Sequence, residues 1–342
     1  MSQYNLSSAA IRIINLRNKL DFADVSLAKQ SEIDAYNRSE LRKKRYFKNL
    51  YRPVEKTVSV DSFIIPVADN ASVAGYLFKQ KDGMSNSTNS LIVYFHDGGW
   101  VLGNVDKYSA FCSNLCNQTS SAVLAVDYRL APLFRFPVPV EDCYSAYLWA
   151  QTGTKYWKLD PSKVYLMGIG AGANLAIAVA RIARDTKGPK PAGMILYDPL
   201  TDCRLRTGSI EKYKDSPTLS AAELNFFIKS YQREPKDILD PLFSPLLAKD
   251  HSRLAPTIIF SSEYNPLSDD AVLFNEALKS ADTVSKLFTL RGAFHAEINY
   301  PDSDRWENVM RIIATFVKGT HTGFIDVPNI RHGLLGKLGE FL

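Results

Sequence analysis

Four short stretches hold the residues of this chain that could do chemistry together: His96-Asp97-Gly98-Gly99-Trp100, Gly168-Ile169-Gly170-Ala171-Gly172, Glu263-Tyr264-Asn265-Pro266-Leu267 and Gly292-Ala293-Phe294-His295. Adjacent glycines such as Gly98 and Gly99 let backbone N–H groups turn toward a pocket, which is how a hole for a developing oxyanion is built. Taken alone, a glycine pair in a loop is more often only a turn. The second stretch is crowded with glycine and opens a run of small residues, ANLAIAVA at 173–180. A strand, such a turn and a close-packed helix form an elbow that normally reads G-x-S-x-G, with serine as the attacking group. Here the middle position is Gly170, which has no side-chain atom that can attack a carbonyl. A lone histidine is usually structural. His295, however, stands after the last apolar run and before the last helical segment, where a site histidine is expected.

The elements that would position these stretches are legible from periodicity. Apolar runs recur at Leu91–Phe95, Ala122–Val126 and Val164–Met167, separated by helix-sized segments at 106–118 and 138–152. Further runs follow at Met194–Tyr197, Thr257–Phe260 and Leu287–Leu290, with helices at 269–281 and 303–317. Strands alternating with helices imply a mostly parallel sheet covered on both faces. In open sheets of that kind, chemistry sits at the carboxyl ends of the strands. Ahead of the alternation, Val58–Val60, Phe63–Ile65 and Ala74–Phe78 read as antiparallel strands, followed by a polar loop at 83–90. Residues 8–50 keep a helical rhythm, and residues 203–250 interrupt the alternation with polar helical material lying over the strand ends. Asp127-Tyr128-Arg129-Leu130-Ala131-Pro132 reads as a structural turn in which Asp127 and Arg129 satisfy backbone groups or each other. No internal repeat and no low-complexity tract occurs.

Composition narrows the function classes. The 342 residues suit one large domain with elaborations or two modest ones, and 46% hydrophobic with 23% charged residues is enough for a real core. The formal charge of +5 is small for this length. The one basic run, Arg42-Lys43-Lys44-Arg45, reads as a solvated helix face rather than a nucleic-acid footprint. Four cysteines without a CxxC pair or metal spacing point to a reducing compartment and to neither metal nor cofactor. Cys112 and Cys116, four apart on a helix, read as buried thiols. No apolar run approaches a membrane span of roughly 20 residues. Arg12, Arg17 and Lys19 interrupt the only apolar stretch near the start, so a signal peptide is not expected and the location expected is cytoplasmic.

With these motifs together, the chain resembles the hormone-sensitive-lipase-like family of α/β-hydrolase-fold carboxylesterases. The likeness runs over roughly residues 55–318. The family's H-G-G-G-W appears as His96–Trp100, its D-Y-R-L-A-P-E as Asp127–Pro132 followed by Leu133, and its F-P-x-x-x-E-D-C as Phe136–Cys143. Its elbow G-D-S-A-G-G-N-L-A appears as Gly168–Ala176, its E-x-D-P-L-x-D as Glu263–Asp269, and its H-G-F as His295-Ala296-Glu297.

The resemblance implies an α/β-hydrolase fold with a helical cap built from residues 1–52 and about 203–235 and a core at 53–318. The tail at 319–342 continues past the last family helix; packing on the domain is the expectation, with joining two subunits or fraying as the alternatives. Carried over residue by residue, Gly98, Gly99 and Ala171 match the backbone oxyanion donors, and His295 matches the general base. Gly170 replaces the nucleophile, Ile169 the acidic residue before it, and Asn265 the acid that orients the histidine. Asp97 replaces the first glycine of its loop and adds a carboxylate beside the donors. Losing a triad serine costs on the order of 10⁶ in turnover. The leading expectation is therefore a pseudo-hydrolase that binds a small acyl or carbonyl ligand or a protein partner; a homo-oligomer stays open. Two alternatives remain. His295, assisted by Asp97, could activate a water in the vacated volume. Alternatively, Gly168-x-Gly170-x-x-Ala173 could be a dinucleotide fingerprint, with Asp198 ending the following run.

Overall fold

The computed structural model describes residues 53–81, 89–300 and 305–319. The N-terminal cap expected at 1–52, most of the loop expected at 83–90 and the tail beyond Gly319 lie outside the described residues.

The apolar runs assemble into one eight-stranded sheet. Its strands are β1 (Val58–Pro66), β2 (Ser72–Gln80), β3 (Leu91–Phe95), β4 (Ala122–Asp127), β5 (Val164–Ile169), β6 (Gly193–Tyr197), β7 (Thr257–Tyr264) and β8 (Ser285–Phe294). They lie in the order β1-β2-β4-β3-β5-β6-β7-β8. From β4 to β8 all neighbours pair in parallel, and β2 runs antiparallel to both β1 and β4. Val58–Val60 and Phe63–Ile65, which read as separate strands in the sequence, form one: β1 pairs without a break from Val58 opposite Gln80 to Pro66 opposite Ser72. The polar residues between them lie on an edge strand, where Asp61 forms an ion pair with Lys79 at 3.0 Å.

Strands buried on both faces need helices on both. Within β3, Leu91, Val93 and Phe95 enter one core cluster while Ile92 and Tyr94 enter the other, the two-residue period of a pleated strand. The first cluster receives α2 (Val138–Trp157), α3 (Ala171–Asp185) and α6 (Ser268–Ser280). The second receives α1 (Val105–Thr119) and α7 (Trp306–Val317). Between β6 and β7 the alternation is interrupted by α4 (Gly208–Lys212) and α5 (Ala221–Tyr231). Helix α5 starts on a capping box in which Ser220 and Glu223 satisfy each other's backbone N–H groups. All four cysteines are buried thiols. No helix among the described residues is long and apolar enough to cross a membrane.

The turn at 127–132 departs in detail from its reading. Asp127 accepts the Val105 N–H at 2.9 Å, which starts α1. Arg129 binds Asp142 on α2 at 2.6 Å rather than Asp127, joining two of the sequence motifs to each other.

Helix α3 lies against the sheet at backbone contact distance. A Cβ on Gly172 would stand 2.0 Å from the Phe95 carbonyl oxygen. Backbone cannot yield as a flexible side chain would, so Gly172→Ala should push α3 off β3. Equilibrium denaturation should show a loss of about 1–3 kcal/mol; unchanged stability would mean the helix is free to move.

Candidate active site

Because β3, β5, β6, β7 and β8 run in parallel, the residues that follow each of them collect along one edge of the sheet. Asp97 follows β3, Gly170 follows β5, Asp198 follows β6, Asn265 follows β7 and His295 follows β8. Gly170 connects β5 to α3 with φ +53° and ψ −116°. Its N–H donates to the Tyr197 carbonyl at 2.9 Å, and its carbonyl accepts from Ala173 and Asn174.

The volume beside the Gly170 Cα is filled by Asp97. A Cβ at position 170 would lie 2.3 Å from Asp97 Oδ1. That oxygen accepts the Ala171 N–H at 3.3 Å, and the Gly98 N–H also donates to the Asp97 carboxylate. Its other oxygen, Oδ2, stands 3.2 Å from His295 Nε2. Ala171 opens α3, so the carboxylate also lies at the positive end of a helix. Two of the three N–H groups expected to meet a ligand oxygen, those of Gly98 and Ala171, therefore meet a side chain of this same protein.

Electrostatics keep that side chain ionised. Burial alone raises the Asp97 carboxyl pKa. The hydrogen bond to His295, its charge and the Gly98 and Ala171 N–H groups outweigh burial and hold the pKa below the ordinary carboxylate range.

The opposite side of His295 faces a second carboxylate. Asp198 Oδ2 is 3.7 Å from His295 Nδ1. Asp198 is fully buried with a left-handed φ of +47°. It accepts the Ser262 N–H at 2.7 Å, the Ser262 hydroxyl at 2.8 Å and the Ala296 N–H at 2.9 Å. Burial raises its pKa against the opposing effects of His295 and those donors.

Asn265 stands at the position expected for the lost acid, and the carboxylate 3.7 Å from His295 Nδ1 is that of Asp198, which follows β6. The Asn265 side chain instead accepts the Leu267 N–H at 3.1 Å and braces the turn into α6. Asp198 likewise does not serve as the acidic partner of a dinucleotide: both its oxygens are engaged by Ser262 and Ala296. Its role as the histidine's neighbour was missed because no motif reserves that slot for an acid. The available signal was its place just after a strand run.

Above these residues lies a cavity of about 130 Å³. Asp97, Gly170 and His295 line it on the sheet side, and Leu219, Leu224 and Phe227 line it from the segment between β6 and β7. The segment between β6 and β7 thus reaches the site. Among the described residues, no group of three or more His, Cys, Asp or Glu is placed to hold a metal.

A parallel sheet with acid, histidine and glycine elbow at successive strand ends defines a hydrolase-type α/β protein. The comparisons carry this further. A family model described as the α/β-hydrolase fold matches residues 92–299, and the chain belongs to that family. It is 33% identical over 228 residues to an arylesterase of Saccharolobus solfataricus, covering 66% of this chain and 74% of that protein. It is 35% identical over 215 residues to the carboxylic ester hydrolase LipN of Mycobacterium tuberculosis, covering 61% of this chain and 57% of LipN. Among solved structures, the hyperthermophilic esterase of Pyrobaculum calidifontis superposes with a TM-score of 0.79 at 28% identity, over 92% of this chain and 98% of that one.

The lowered Asp97 pKa fixes a pH dependence. A carboxyl whose folded-state pKa lies below its unfolded one stabilises the fold above the unfolded value, about 3.9, and loses that contribution as pH falls through the folded value. Asp97→Asn should therefore cost about 1–3 kcal/mol at pH 7. The gap to wild type should close as the medium is acidified below about pH 4. Denaturation midpoints across that range measure it, and a gap independent of pH would contradict the assignment.

Proposed function

We propose that this member of the esterase family is a pseudo-hydrolase toward carboxylic esters, and that its cavity binds a small, largely apolar ligand without forming an acyl-enzyme. One observation carries the reading: the Asp97 carboxylate holds the Ala171 N–H and stands where a side chain at position 170 would begin. Gly170 cannot attack, and the carboxylate is a poor substitute on an ester. Its addition to an acyl carbon would require an alkoxide to leave in preference to a carboxylate, so the adduct collapses back to substrate. The expected acyl or carbonyl ligand is refined by the same contacts. Its oxygen meets N–H groups already bonded to an anion, so neutral ligands are favoured over carboxylates and the apolar walls supply most of the binding.

A second reading has a specific observation behind it. Asp198 stands 3.7 Å from His295 Nδ1, a charge that favours the imidazolium where position 265 has no acid, and this supports His295 activating a water slowly on esters. Ester turnover that resists a serine-reactive phosphonate and disappears in His295→Ala would identify that route.

The main reading predicts how serine chemistry could be restored. Gly170→Ser alone should gain little on short-chain nitrophenyl esters: Asp97 must turn aside from the new Cβ, yet its carboxylate stays beside the Ala171 N–H and His295 that the serine would need. Asp97→Gly with Gly170→Ser should gain phosphonate-sensitive turnover by about 10²-fold or more over wild type, using His295 and Asp198 as they stand. Phosphonate-sensitive turnover by the wild type at an ordinary esterase rate, on the order of 10 s⁻¹, would falsify the reading.

A further inference from the structure

We propose that Asp97 is itself a nucleophile toward saturated carbon, so that the cavity hydrolyses a small primary alkyl halide through a covalent ester of Asp97. The inference rests on the cavity's being a ligand site and goes beyond the reading above, since it concerns a different bond. The carboxylate's weakness on esters does not extend to a saturated carbon that carries a good leaving group. There the displaced halide is a weaker base than the attacking carboxylate, and the reaction runs forward.

The two oxygens of Asp97 have separate surroundings that fit separate duties. Oδ1 accepts the N–H of Ala171 at 3.3 Å, and the Gly98 N–H also meets the carboxylate. Oδ2 faces His295 Nε2 at 3.2 Å, on the wall of the cavity. In the first step Oδ2 attacks the halide-bearing carbon, the carbon–halogen bond breaks, and the halide departs with the electron pair. No proton is needed on the leaving side. That suits a halide, which departs as a stable anion. Two cavity-lining groups suit the departing anion: the Trp100 indole nitrogen and the Thr218 hydroxyl, both buried without a hydrogen-bond partner in the described structure.

Alkylation removes the Asp97 charge, so His295 releases to solvent the proton it shared with Oδ2; in the second step the free Nε2 takes a proton from a water whose oxygen adds to Asp97 Cγ. Negative charge then develops on Oδ1, which the Ala171 N–H at the start of α3 already holds. Asp198, 3.7 Å from Nδ1, balances the imidazolium that forms. The adduct collapses by breaking the Cγ–Oδ2 bond. The departing alkoxide takes the proton from His295, and the new carboxyl passes its own to His295, restoring the starting state. The sum is alkyl halide plus water giving alcohol, halide ion and a proton. The alcohol carries the original Oδ2, and the water oxygen remains on Asp97.

This oxygen exchange is the test. Full-length protein is incubated with 1-bromobutane in ¹⁸O-water under single-turnover conditions, and bromide, butanol and the Asp97 peptide are analysed by mass. The expected result is unlabelled butanol with the heavy isotope on Asp97. His295→Gln should release one bromide per protein and accumulate a butyl ester on the Asp97 peptide, with steady turnover reduced at least about 10³-fold. Asp97→Asn should release none. Binding of butanol, followed through tryptophan fluorescence, is measured on every variant and checks that its cavity is formed. Butanol binding to wild type and His295→Gln with neither bromide release nor a butylated Asp97 would overturn the nucleophile and leave the ligand site standing. Absence of butanol binding to wild type would overturn both. Label appearing in butanol rather than on Asp97 would mean direct attack by water, and the proposal would fall.

Discussion

A carboxylate largely withdrawn from water is costly unless hydrogen bonds and opposite charge replace its hydration. Asp97 obtains both from three directions: the N–H groups of Gly98 and Ala171 and the imidazole of His295. Each partner is supplied by a different part of the sheet edge. The loop after β3 provides Gly98, the start of α3 provides Ala171, and the turn after β8 provides His295. The arrangement of the site therefore depends on these strand ends being held in register, which the parallel ladder from β4 to β8 accomplishes.

The second carboxylate completes a line through the imidazole. Asp198 is buried, left-handed in backbone and tied to β7 through both the N–H and the hydroxyl of Ser262. That strain of a non-glycine residue at positive φ is held by surrounding hydrogen bonds, as happens where position matters more than local comfort. Two acids on opposite sides of one histidine set its charge environment, Asp97 by a hydrogen bond to Nε2 and Asp198 from 3.7 Å at Nδ1. The same pair distinguishes an anion-filled elbow from one awaiting a serine.

Much of the fold was legible in the sequence because burial on both faces of a parallel sheet produces short, uninterrupted apolar runs. Leu91–Phe95 and Met194–Tyr197 are strands with the bounds read for them or nearly so. β1 was less legible because polar residues interrupt its apolar runs while its backbone pairs throughout. The site was legible by type and less so by partnership. Gly170, His295 and Asp97 stood out as residues, but the direction of the Asp97 side chain is set by the fold around Gly98, with its φ of +127°. Asp198 carried no motif at all. Its pairing with His295 crosses β7, and a contact between strand ends nearly a hundred residues apart leaves no local pattern.

The close approach between Asp97 and the Gly170 Cα has a historical consequence. A Cβ at position 170 and the Asp97 carboxylate in its present rotamer cannot share the same space. A lineage holding both a serine there and the acid would have to turn the carboxylate away from the Ala171 N–H and His295, uncoupling it from the partners that replace its hydration. An ancestor with glycine at both positions avoids that conflict. A contact of 2.3 Å thus sets a cost on the order in which the two substitutions arrive.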